Sequence, residues 1–85
     1  MSARHIRLLY FAAVRELVAL DAEDVELPED LRTVADLAAF VARRHPALAP
    51  HLSSIRFAVD EEFATPGHAI RDGATVALIP PVAGG

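Results

Sequence analysis

The 85-residue sequence predicts a single α+β domain, a mixed sheet packed on one main helix. Three observations lead there. Segments near both ends, His5 to Phe11 and Thr75 to Ile79, alternate in strand fashion. One long amphipathic stretch between them, opening at Thr33, has its own start and stop signals. Hydrophobic residues make up 53% of the chain and there is no cysteine, so the core must hold by packing, without disulfide or thiolate-metal staples.

In His5 to Phe11, Ile6, Leu8 and Tyr10 fall on one face, and Arg7, Leu9 and Phe11 on the other. Ala12 to Leu20 reads as a short helix with Val14, Leu17 and Val18 at helical spacing. Asp24 to Leu27 is a second strand ended by Pro28; it pairs with the first, if at all, through a connection longer than a hairpin turn. Thr33 caps the main helix with Asp36 as its capping-box partner. Val34, Leu37, Ala38 and Val41 form the apolar stripe, Arg43 and Arg44 suit the negative end of the helix dipole, and Pro46 stops it. Ala47 to Leu52 forms a short helical turn. Ile55 to Asp60 is a strand with Ile55, Phe57 and Val59 inward, followed by the polar turn Asp60-Glu61-Glu62 and a short return strand at Phe63-Ala64. Thr65-Pro66-Gly67 is a loop and Asp72-Gly73 a turn. In the last strand Val76 and Leu78 point one way, and Thr75, Ala77 and Ile79 the other. Pro80 and Pro81 cannot donate to a ladder, so the sheet ends there. This order fits a ubiquitin-like β-grasp spanning residues 1–79, with an extended tail, 80–85.

Charge and composition narrow the function. The net charge is −4, with acids gathered at Asp21 to Asp30 and Asp60 to Glu62. Nucleic-acid binding needs a concentrated basic face, so an acidic surface points instead to a basic protein partner. The N-terminal residues carry no secretory apolar stretch, and no apolar run approaches the roughly 20 residues of a membrane span, so the expected location is cytoplasmic. His5, His45, His51 and His68 lack metal-ligand spacing, and no metal is expected. Asp21, Glu23, Asp24 and Glu26 read as a solvated strand face, and Arg43-Arg44 as a plain helix end.

The chemistry concentrates in the tail Pro80-Pro81-Val82-Ala83-Gly84-Gly85. Extended, it spans up to roughly 20 Å at about 3.3 Å per residue, enough to enter another protein's active site. The prolines stiffen its base and the glycines keep its tip slim. A terminal carboxylate becomes an acyl donor only after activation, most simply by adenylation, and an acyl adenylate can accept sulfur to become a thiocarboxylate. The chain has neither cysteine nor lysine, and its eight basic residues are all arginine, so no thiol or side-chain amine of its own intercepts the activated end.

The chain resembles the MoaD family, the small sulfur-carrier subunit of molybdopterin synthase. The likeness covers nearly the whole chain. It rests on Leu8-Leu9-Tyr10-Phe11-Ala12-Ala13-Val14-Arg15-Glu16-Leu17, on Asp72-Gly73 before the last strand, and on the terminal Pro-Pro-Val-Ala-Gly-Gly. The resemblance implies the β-grasp fold and a final residue, Gly85, that is adenylated and converted to a thiocarboxylate. It implies no bound cofactor, with ATP consumed by an E1-like (MoeB-like) activating enzyme. It also implies insertion of the tail into a large (MoaE-like) synthase subunit, where sulfur passes to a cyclic pterin precursor, in an assembly of two small and two large subunits. Such a chain is a sulfur-donor subunit and not a catalyst alone. The family's partner-binding apolar patch maps to Phe11, Phe63 and Ile79, with Arg15 nearby. Leu78-Ile79 departs from the aromatic pair common before Pro-Pro, and Asp60-Glu61-Glu62 is unusually acidic. Two alternatives stay open: a sulfur carrier for thiamine, cysteine or tRNA thiolation, and a ubiquitin-like protein modifier.

Overall fold

The computed structural model describes residues 3–81. Five strands form one mixed sheet: β1 (Arg4–Tyr10), β2 (Ala22–Leu27), β3 (Arg56–Val59), β4 (Glu62–Phe63) and β5 (Thr75–Ile79), in the order β2-β1-β5-β3-β4. The last strand is therefore the central one. It runs parallel to β1 and antiparallel to β3. Strands β1 and β2 are antiparallel and joined through helix α1 (Ala12–Val18) in place of a tight turn.

Helix α2 (Val34–Arg44) covers one face of the sheet. Its start is the capping box expected from sequence: the Thr33 side chain accepts from the Asp36 amide, and the Asp36 carboxylate accepts from the Thr33 amide at 3.1 Å. The Arg32 amide donates to the same carboxylate at 2.9 Å, and the Arg32 and Thr33 amides together hold the Asp36 carboxyl below its ordinary range. A 3-10 helix, Pro46–Ser54, follows. The core runs from Ile6, Leu8 and Tyr10 across Val76, Leu78, Phe57 and Val59 to Val34, Leu37 and Val41. Leu8, Leu37, Val76 and Leu78 are fully enclosed. Each such side chain contributes roughly 1.5–3 kcal/mol relative to exposure. At the Asp72-Gly73 turn, Gly73 takes φ 84°, a conformation that favours glycine, and its N–H donates to the His5 carbonyl at 2.7 Å.

Several boundaries differ from expectation. Helix α1 stops at Val18, two residues short of Leu20, because Ala19 turns left-handed at φ 62° and its N–H closes onto the Arg15 carbonyl. Of the stripe Val14, Leu17 and Val18, only Val14 is fully buried; Leu17 is exposed. A two-turn helix perched at the end of the sheet gives the core one fully buried residue, with Val18 packed half-buried against it. Strand β4 is Glu62–Phe63, one residue earlier than Phe63-Ala64, because Asp60 and Glu61 by themselves complete the turn and Glu62 pairs directly with Val59. Among the described residues, no helix is long and apolar enough to cross a membrane, and no group of three metal-ligating side chains converges.

Candidate functional site

The strand that carries the tail is the central one, hydrogen-bonded on both sides, with Leu78 opposite Tyr10 of β1 and Phe57 of β3. Pro80 and Pro81 leave it directly. The rest of the tail named from sequence, Val82, Ala83, Gly84 and Gly85, lies outside the described residues. The root of the tail is thus held by the rigid centre of the fold, so whatever binds the domain also sets where the tail begins.

Beside that root, the sheet face turned away from α2 carries a shallow apolar groove of about 300 Å³. Its shape follows from register. Leu9, Ala77, Ala58 and Phe63 lie in one row across four strands. The two alanines make a low floor between two larger side chains. Phe11, just beyond β1, and Ile79, at the end of β5, complete the rim with Glu61. Phe11 is 45% exposed and Phe63 60% exposed, while Ile79 is half-buried. The Arg56 guanidinium lies 4.3 Å from the Phe63 ring centroid and props that ring at the edge of the sheet.

Phe11, Phe63 and Ile79, nominated from sequence as a partner-binding patch, therefore line one continuous groove. Arg15 does not join them; it lies on α1 with its guanidinium 3.6 Å from the Asp21 carboxylate. The floor alanines Ala58 and Ala77, and Glu61, were not nominated. The signal for Ala77 was present in the strand alternation that sets it beside Ile79; Ala58 required knowing that β3 pairs with β5. A second concavity, about 480 Å³, lies between α1 and the 3-10 helix and is bordered by Leu17, His51, Ile55, Pro80 and Pro81. No sequence signal marked it, because its walls come from three separate elements.

The acidic strand β2 corrects two further expectations. Glu23 is not part of a solvated face. Its side chain is 15% exposed and accepts from the Tyr10 hydroxyl at 2.7 Å and from Arg44 Nε at 2.7 Å. His45 Nε2 lies 2.8 Å from the same carboxylate, and its ring packs edge-on against Tyr10. Burial pushes the Glu23 carboxyl up, but hydrogen bonds from Arg44, Tyr10 and His45 outweigh it and leave the group at about 2. Burial, reinforced by the Glu23 bond and charge, drives the Tyr10 phenol well above its ordinary range. Arg44 is accordingly more than a helix end: it ties α2 to β2. Asp24 pairs with Arg7 at 3.1 Å, and Glu26 lies 3.7 Å from His5. The cluster knits helix to sheet and is not a reaction centre.

A small sheet-on-helix domain that ends its central strand in Pro-Pro and sets an apolar groove beside the exit belongs to the ubiquitin-like β-grasp class of tail-bearing carriers. The model of the ThiS family matches residues 8–85, and the chain belongs to that family. Among its relatives is the molybdopterin synthase sulfur carrier subunit of Chlamydomonas reinhardtii, 38% identical, with 94% of this chain and 98% of the relative covered. The subunit of the same name from Escherichia coli (strain K12) is 39% identical over 94% of this chain and 99% of its own. Among solved structures, the small archaeal modifier protein 1 of Haloferax volcanii superposes with a TM-score of 0.81 at 28% identity, covering 93% of this chain and 99% of its own. A complex of subunits 1 and 2 of the molybdopterin-converting factor from Helicobacter pylori 26695 matches with a TM-score of 0.64, covering 95% of this chain and 99% of that one; at 20% identity the likeness is one of fold.

Proposed function

We propose that this chain is the sulfur-carrier subunit of a molybdopterin synthase. The observation that carries the proposal is the near-full-length match to sulfur carrier subunits of that enzyme. The family match also runs through the final glycines. In this reading the Gly85 carboxylate attacks the α-phosphate of ATP on an E1-like enzyme, giving an acyl adenylate and pyrophosphate. A sulfur donor displaces AMP and leaves a thiocarboxylate. The tail then enters the large synthase subunit, where the sulfur displaces an oxygen leaving group from a carbon of the cyclic pterin precursor; water then cleaves the resulting thioester, returning Gly85 to a carboxylate and leaving the sulfur on the pterin. The chain supplies no catalytic side chain of its own. Its part is to deliver one sulfur atom at the end of a tail anchored on the central strand. The groove of Phe11, Phe63 and Ile79 is the docking face for both partners, and two loaded carriers serve two large subunits. The solved complex of the two subunits of the Helicobacter pylori factor supports a large-subunit partner for a protein of this fold.

The test is the intact mass of the chain after incubation with its activating enzyme, ATP and a sulfur donor. A sulfur-for-oxygen exchange at Gly85 is expected, and deleting Gly85 should abolish sulfur transfer while changing stability by no more than about 0.5 kcal/mol. Unchanged transfer by the truncated chain would sink the assignment. The likeness to a small archaeal modifier protein favours one second reading, attachment to other proteins through an isopeptide bond. Adducts of the chain with lysines of other proteins, in place of the thiocarboxylate, would decide for it; with no lysine, the chain could not build lysine-linked chains of itself.

A further inference from the structure

Half of the acids of this chain are answered within it by an arginine or a backbone amide. Asp21 lies against Arg15, Asp24 against Arg7, and Glu23 against Arg44. The Asp36 and Asp72 carboxylates accept from backbone amides. Asp60 is pinned to the start of β5 twice: its N–H donates to the Thr75 carbonyl at 2.8 Å, and its carboxylate accepts from the Thr75 N–H at 2.9 Å. Glu61, the next residue, differs. Among the described residues its carboxylate has neither a hydrogen bond nor an ion pair, and it stands on the rim of the apolar groove with Phe11, Phe63 and Ile79. Its neighbour Glu62 pairs with Val59, whose side chain is in the core, so its own side chain belongs to the opposite sheet face.

The backbone holds Glu61 there at a cost. Asp60 and Glu61 sit at φ 48° and 74°, the two left-handed positions of a two-residue hairpin turn that Asn-Gly fills most easily. Because the Asp60 bonds fix the turn to the sheet, the Glu61 side chain starts from a defined place beside the groove.

We propose that this groove takes an apolar side chain of a partner protein flanked by an arginine or lysine, and that Glu61 is the specificity residue that reads the cation. The proposal rests on the docking face assigned above and names the chemistry of the surface that fits it. Charge complementarity favours a basic protein over a second copy of this chain, which carries a net charge of −4 and would bring an identical Glu61 to the same groove. An apolar contact alone would accept many hydrophobic surfaces; a cation requirement at its edge excludes those without one.

The experiment measures binding of the full-length chain to the co-expressed, purified large synthase subunit of the same organism, at low and high salt. Four proteins are compared: wild type, Glu61→Gln, Phe63→Ala and Glu29→Gln. Glu29 is exposed, lies away from the groove, and removes the same unit of net charge. Glu61→Gln keeps the side chain's size and is expected to weaken binding about fivefold at low salt. The difference should vanish near 1 M salt, where the screening length is about 3 Å. Glu29→Gln should bind as wild type, and Phe63→Ala should weaken binding at every salt concentration. Equal losses in Glu61→Gln and Glu29→Gln would reduce the effect to net charge and overturn the proposal. So would wild-type binding by Glu61→Gln while Phe63→Ala is weakened, which leaves the docking face standing. Wild-type binding by Phe63→Ala would remove the docking face and the proposal together. A dimer of the free chain in sedimentation that Phe63→Ala dissociates would assign the groove to a second copy and also overturn it.

Discussion

Glu23, within β2, and Glu61, in the turn before β4, are both glutamates of acidic stretches, and the fold treats them in opposite ways. Glu23 is enclosed and receives a phenol, a guanidinium and an imidazole. Glu61 stands at the mouth of an apolar groove with no partner among the described residues. The first arrangement spends its charge on holding α2 to β2; the second leaves it available to another molecule. The same contrast separates the two faces of the sheet. On the α2 side, large aliphatic residues interlock; on the other, Ala58 and Ala77 leave a trough and Phe63 stands clear of the core. Acidic composition is thus two different properties in one small domain, stability in one region and, in the role proposed for Glu61, recognition in the other.

The strongest way to break this contrast is Glu23→Ala. Removing the carboxylate strands the Tyr10 hydroxyl and leaves Arg44 and His45 without their partner, and a loss of about 2–4 kcal/mol is expected. Denaturant unfolding measures it, and binding to the large subunit should be unchanged once the protein is kept folded. If Glu23→Ala is as stable as wild type, the cluster does not hold the helix to the sheet.

Acid titration sharpens the same point. The Glu23 carboxyl is depressed from 4.5 to about 2. Its stabilising contribution is therefore complete above about pH 4.5 and is lost as pH falls toward 2. At about 1.4 kcal/mol per unit, the loss amounts to at most about 3.5 kcal/mol. Glu23→Gln should start less stable at neutral pH and show a flatter acid limb in unfolding measurements. An identical limb in both proteins would assign the acid sensitivity to other carboxylates.

Next comes Ile79→Asp on the opposite face. It places a charge in the apolar groove and should weaken large-subunit binding tenfold or more, about 1.4 kcal/mol. Because Ile79 is half-buried against the outer face and outside the core cluster, the melting temperature should move little. A large drop in melting temperature would make Ile79 a core residue and erase the distinction between the faces. The smallest expected effect is on the stability of Phe63→Ala, within about 0.5 kcal/mol, since the ring is largely exposed and held chiefly by Arg56. A larger loss would mean that the Arg56–Phe63 pair braces the β3–β4 edge and does more than present the ring.

Much of the domain is determined by the sequence itself, because the relevant forces are local. Period-two alternation sorts Ile6, Leu8, Tyr10, Val76 and Leu78 inward and Leu9, Phe11, Ala77 and Ile79 outward without reference to any neighbour. The Thr33–Asp36 box and Pro46 delimit α2 because capping is settled within one turn of helix. The Pro-Pro-Val-Ala-Gly-Gly end is likewise written in consecutive residues. What only the tertiary structure decided are the meetings of residues far apart in the chain. Strand pairing set Ala58 beside Ala77 and so made a groove of two strand faces. The packing of α2 over β1 and β2 brought Arg44 and His45, about twenty residues on, to Glu23 and turned an apparently solvated acid into one held by three side chains. Alternation predicts the face a side chain takes, but not which strand lies next to it. Register and strand order depend on the burial of the whole core at once, and no local stretch of residues contains them.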